Sequence, residues 1–134
     1  MADPPERPER VFKTSWFSKA ARKAHIADVE LCIAIRQVML GQADDLGGGV
    51  FKKRLGKNLY RSIILAKGGR YWVYAYLFAK KDRANIAEDE LVEFRAFAAL
   101  FARKTDADIA KEVHFNELVE ICHDQERQVQ ERRF

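Results

Sequence analysis

Between Leu46 and Lys81 the sequence carries nine basic residues and no Asp or Glu. They are Lys52, Lys53, Arg54, Lys57, Arg61, Lys67, Arg70, Lys80 and Lys81. The 134-residue chain has 24 Lys and Arg against 20 Asp and Glu, so outside this stretch 15 bases meet 20 acids. A merely solvated surface mixes its signs, as the flanks do here. One sustained sign implies a polyanionic partner, nucleic acid first. Arginine forks match phosphate oxygens, and tyrosine or tryptophan can stack on unpaired nucleobases. The competing reading is that the lysines protect sheet edges and aid solubility.

Other chemistries fit poorly. A phosphate-cradling loop needs GxxxxGK[ST] between a strand and a helix. Here Gly47–Gly49 precede a strand and no GK[ST] follows, so the glycines are expected to turn the chain from a helix into a sheet with positive φ. No His/Cys pair has metal-ligand spacing within one element, Cys122–His123 alone being too little, and there is no GxSxG. No cofactor or metal is therefore expected. Cys32 and Cys122 stand far apart in apolar surroundings, and free thiols in a reducing cytosol are expected.

The elements that must position these bases follow from periodicity. Residues 1–9, with Pro4, Pro5 and Pro8, read as a disordered tail, and MADPPERPER has no apolar h-region of a secretory signal. No apolar run approaches the roughly 20 residues of a membrane helix. A cytoplasmic protein is expected, with no membrane partner and no small-molecule substrate. RVFK predicts a short strand. Ser15 then suits an N-cap for WFSKAARKA, with Trp16, Phe17 and Ala20 or Ala21 inward. Asp28 opens a second helix whose Leu31, Cys32, Ile35, Val38 and Met39 form one stripe, and Gly41 ends it. The two helices make an αα-hairpin.

GGGVFKKRL, LYRSIILAK and RYWVYAYLFAK then predict three strands in an antiparallel meander, joined by LGKN and KGG. Leu91, Phe94, Ala98 and Phe101 form a helical stripe, Thr105 caps a short helix and ELVEICHD suggests a last strand. The predicted class is α+β in the order β-α-α-β-β-β-α with a small final unit, the N-terminal αα-hairpin and C-terminal helices packing on an antiparallel sheet. One domain is expected over residues 10–124, with a polar C-terminal tail over 125–134.

Strand alternation puts Lys52 and Arg54 on an open face, with Phe51, Lys53 and Leu55 toward the helices. Arg61, Ile63 and Leu65 share one face of the next strand. A meander returns its third strand beside the second, so Arg54, Arg61 and Lys80 converge, with Lys81 and Arg83 just beyond. Trp72, Tyr74, Tyr76 and Phe78 share one strand face, as core or as a stacking platform.

VFKTSWFSKAARK, DLGGGVFKKRL, YRSIILAKGGRYWVYAYLFAKKDRANI and EDELVEF together resemble the RelE/HigB branch of the RelE/ParE toxin superfamily, from about Val11 to His123. The turn before the YR strand, LGKNL, departs from the serine- and glycine-rich turn common there. The resemblance implies a toxin of a type II toxin–antitoxin system, held inactive by a cognate antitoxin protein and cleaving mRNA in the ribosomal A site. Alternatives are a ParE-like inhibitor of DNA gyrase and a non-catalytic RNA-binding module, since fold does not fix target.

Metal-independent RNA cleavage by 2′-hydroxyl attack needs a base, charge stabilisation of the phosphorane and an acid. His25, His114 and His123 all lie away from the basic strands in sequence. The work then falls to Lys52 or Lys53 as base, its pKa lowered by Arg54 and Lys57, and to Arg61 at the phosphorane. Lys80 or Arg83 would serve the leaving oxygen. Lys57, Tyr74, Tyr76 and Lys81 are candidate RNA-binding residues. For the antitoxin, the basic patch suits an acidic segment, and grooves beside the αα-hairpin suit an amphipathic helix.

Overall fold

The computed structural model describes residues 9–68 and 70–122. All of the expected N-terminal tail except Glu9, and all of the expected C-terminal tail, lie outside the described residues, as does His123. β1 (Arg10–Thr14) runs directly into α1 (Ser15–Lys23). Thr14 is the N-cap, its hydroxyl accepting from the Phe17 N–H at 3.0 Å, one residue before the expected Ser15. The strand carries the shift: Thr14 still pairs with Leu118 and is extended, as a cap must be.

α2 (Asp28–Met39) follows, then β2 (Asp44–Gly47), β3 (Val50–Leu55), β4 (Tyr60–Lys67) and β5 (Tyr71–Ala79). α3 (Glu88–Ala102), α4 (Asp106–His114) and β6 (Leu118–Ile121) complete the described chain. The class is α+β, as expected. The six strands lie in the order β2-β3-β4-β5-β1-β6. β3, β4 and β5 form the expected antiparallel meander, but β1 runs parallel to β5, so the sheet is mixed rather than wholly antiparallel.

The glycine triplet does adopt positive φ throughout, at 84°, 64° and 83°. It joins two strands, however, and not a helix to the sheet. β2 escapes a periodicity reading because DDLG has almost no apolar residue to alternate.

Both faces of the sheet are covered. Phe17, Leu31 and Ile35 of α1 and α2 pack with Val11, Ile64, Trp72 and Tyr74 on one face. Ala98 and Phe101 of α3 and Ile109 of α4 pack with Phe12, Val50, Ile63, Leu65 and Val73 on the other. Burying one such Phe, Leu or Ile contributes about 1.5–3 kcal/mol. The face expected to be open thus lies under α3, whose own apolar stripe needs a sheet to bury it. Trp16, expected inward, is half exposed, while Phe17 and Ala21 take the buried positions. Among the described residues no helix is long and apolar enough to cross a membrane.

Cys32 and Cys122 are not free thiols. They form a disulfide between α2 and the residue after β6, with Cα atoms 5.4 Å apart. The sheet brings them together: β6 pairs with β1 so that Ile121 lies opposite Val11, and both face the α2 core. Closing a loop of 90 residues by cross-linking restricts the unfolded chain by about 4.6 kcal/mol on the loop-entropy estimate. Air-oxidised protein, unfolded and treated with a thiol reagent, is expected to show no free thiol, and a reductant is expected to lower its melting temperature by about 10 °C or more. Two titratable thiols in that sample, with melting indifferent to reductant, would rule the cross-link out.

Candidate functional site

Arg54 and Arg61 stand directly opposite each other in the β3–β4 ladder, and Lys52 lies opposite Ile63. Gly56, Lys57 and Asn58 form the hairpin tip, all three in the left-handed region at φ 59°, 55° and 73°. Gly56 is required there, because a Cβ would come within 2.8 Å of the Tyr60 ring. That tip aims the Asn58 carbonyl back at Arg61. The Arg61 guanidinium donates to Asn58 O at 3.1 Å and to Tyr60 O at 3.0 Å, and the residue is only 9% exposed. Among the described residues no carboxylate pairs with it. A buried cation is ordinarily paired; this one is held by neutral carbonyls, which orient its charge without neutralising it.

A bulge in β5 completes this face. Ile64 pairs with Tyr74 and Ile63 with Tyr76, so Ala75 is the extra residue. Tyr74 therefore stays in the α2 core, fully buried, its hydroxyl donating to Leu31 O at 2.7 Å. Burial raises its pKa, with Glu30 adding to the effect. It cannot meet RNA, contrary to expectation. Past the bulge, Tyr76 and Phe78 turn to the α3 side, so the four aromatics do not share one face. Phe78 stands opposite Arg61. Tyr76 stacks on Trp16, their ring centres 5.0 Å apart.

Arg83, in the turn after β5, folds back with its guanidinium 5.5 Å from the Phe78 ring centre. It donates through Nε to Asn85 O at 3.0 Å and grips both carboxylate oxygens of Glu90, one at 3.1 Å. The Glu90 hydrogen bonds raise the Arg83 pKa further, so Arg83 cannot release a proton to a leaving oxygen. Asn85 also links to Lys52, whose Nζ lies 3.4 Å from its Oδ1 and 3.6 Å from Asp44.

The other expected residues separate. Lys53 points to the α2 side and donates to Gln42 O at 2.9 Å. Its pKa is lowered, chiefly by burial and then by Arg54, so desolvation rather than like charge leads, and it acts on the lysine facing away from Arg61. Lys57 is exposed at the hairpin tip. Lys80 follows β5, its N–H donating to Leu59 O, and Lys81 is exposed beside it. His25 lies in the α1–α2 turn and His114 ends α4, neither on the β3–β5 face. The structure thus gathers Lys52, Arg54, Arg61 and Arg83 with Tyr76, and sets Lys53 and Tyr74 apart. Trp16, which the sequence reading assigned to the core, belongs to this face.

The chain is thus an α+β domain with helices on both faces of its sheet and a buried arginine, carboxylate-free among the described residues, beside further bases. The family model for the RelE toxin of the RelE/RelB toxin–antitoxin system matches residues 9–121. The chain belongs to the RelE family and is a toxin of a toxin–antitoxin system, which implies an antitoxin partner. No curated protein matches it significantly.

The Arg83–Glu90 clamp shapes this face and is pH-dependent. The Glu90 carboxyl is held below its ordinary range, first by Arg83 and then by the Ala87 N–H. Its contribution to stability is therefore present above the ordinary carboxylate range and lost as pH falls through the depressed value. In a carbon-13 titration Glu90 is expected to protonate below the ordinary carboxylate range, and Arg83→Ala to move it upward. A Glu90 midpoint indifferent to Arg83→Ala would contradict the clamp.

Proposed function

We propose that this toxin is a ribosome-dependent mRNA endonuclease that inhibits translation by metal-independent cleavage. The observation that carries the proposal is Arg61: buried, charged, and held by carbonyls with no carboxylate among the described residues. A phosphate in flight from tetrahedral to phosphorane gains negative charge, and a preorganised guanidinium stabilises it without reorganising. Arg54, opposite Arg61, adds a second fork from solvent.

Arginine remains protonated at all relevant pH, so it can stabilise but not shuttle protons. The acid–base work falls to the protonatable groups gathered there, Lys52 and Tyr76. In this scheme Lys52, as the free amine, takes the proton of the 2′-hydroxyl as its oxygen bonds to phosphorus. Tyr76 gives a proton to the 5′-oxygen as the P–O5′ bond breaks. The products are a 2′,3′-cyclic phosphate and a 5′-hydroxyl, and the atoms balance without water or metal. Lys53 and Tyr74 take no part.

The test is expression of the chain followed by mapping of mRNA 5′ ends. Cuts bearing 5′-hydroxyls, phased to codons within translated regions, are expected. Intact messages accompanied by a DNA-damage response would instead place the target at gyrase.

A further inference from the structure

β1 accompanies β5 only as far as Tyr74. Among the described residues no strand lies on that side of β5 from Ala75 to Ala79. α1, leaving β1 at Ser15, flanks the gap instead and leaves a groove of about 640 Å³. Its α1 wall carries Trp16, Lys19 and Lys23, and its other wall carries Tyr76 and Phe78 of β5 with Lys81 just beyond the strand. Arg83 and Phe78 also line it, and Phe78 stands opposite Arg61 in the ladder, so the groove passes beside that arginine.

Two features say what the groove takes. Lys19, Lys23 and Lys81 are exposed and without a carboxylate partner among the described residues, while Asp82 is the acid in the lining. That charge suits a polyanion. Trp16, in addition, is 50% exposed although it is stacked on Tyr76 at an interplanar angle of 26°. One ring is held against a half-buried tyrosine while half the residue's surface stays in water, which is the arrangement of a stacking platform. An acidic peptide would answer the lysines but leave the indole unexplained.

We propose that this groove is the path of single-stranded RNA to Arg61. One nucleobase stacks on Trp16 as a third layer over Tyr76, and Lys19, Lys23 and Lys81 hold the flanking phosphates. The proposal rests on the RNA-cleaving reading above and adds a second wall, on α1, to its substrate site. Trp16, Lys19 and Lys23 are binding residues here, remote from the reacting phosphate.

The probe is a mixed-sequence 2′-O-methyl oligonucleotide, which lacks the attacking hydroxyl, titrated into the full chain while tryptophan fluorescence is read. The chain has two tryptophans, and Trp72 is buried, so a stacked base quenches Trp16. Saturable quenching is expected, and Trp16→Phe is expected to abolish it. Read by the anisotropy of a fluorescently labelled copy of the oligonucleotide, Trp16→Ala is expected to weaken binding about 5- to 150-fold. The Lys19→Ala/Lys23→Ala pair is expected to reduce the salt slope of log K by about 1.4, at about 0.7 per single-strand phosphate contact. Thermal melts identify variants that fold, and Trp16→Phe keeps a ring in place if Trp16→Ala does not. Unchanged affinity and salt slope in these variants would overturn the groove; if the chain still cuts mRNA, the endonuclease reading survives. Wild-type protein that neither binds the oligonucleotide nor cuts mRNA sinks both. Quenching by polyglutamate but not by the oligonucleotide would make the groove a peptide site and also overturn the proposal.

Discussion

One extra residue in β5 decides what this molecule can present. With regular pairing, Tyr76 and Phe78 would continue the Trp72–Tyr74 row into the α2 core. The bulge at Ala75 reverses the alternation, so Tyr74 closes one core while Tyr76 and Phe78 join the other face. Phe78 then provides the floor beneath Arg83 and stands beside Arg61. Tyr76 reaches Trp16 at the first turn of α1. A core feature thereby sets the aromatic surface, and the bases are arranged around it.

The charges on that surface are managed unequally. Arg83 is committed to Glu90, which fixes the turn into α3 and leaves little of its charge to offer a ligand. Arg61 is committed only to main-chain carbonyls, which orient it without neutralising it. Holding a charge in this way costs stability that a carboxylate would have restored. Membership of the RelE family supplies the biological setting, a toxin restrained by an antitoxin, and in the proposed reading the arginine meets the phosphate within it.

Much of this was legible in the sequence, and the failures have physical causes. Strand parity alone puts Lys52 and Arg54 on one face and the short hairpin brings Arg61 across from them, although neither VFKKRL nor YRSIIL alternates between apolar and charged positions. YWVYAYLFA contains no polar residue, so nothing in its pattern marks the bulge, and Tyr74 was assigned to RNA and Tyr76 to its row for the same reason. The parallel pairing of β1 with β5 and the Cys32–Cys122 bond are long-range consequences of topology, invisible to spacing. Trp16 follows a cap displaced by one residue, and helical periodicity does not separate it from Phe17 when both are large and apolar. The Lys53 pKa is lowered first by burial and only then by Arg54, so desolvation outweighs repulsion between like charges there.

The central claim is that Arg61 stabilises the phosphorane, and single-turnover cleavage of mRNA on programmed ribosomes tests it most directly. Arg61→Ala, compared with wild type at equal ribosome occupancy and with folding checked by melting, is predicted to slow cleavage about 10²- to 10³-fold while the products still end in 2′,3′-cyclic phosphate. Cleavage by a folded Arg61→Ala protein at the wild-type rate would contradict the account.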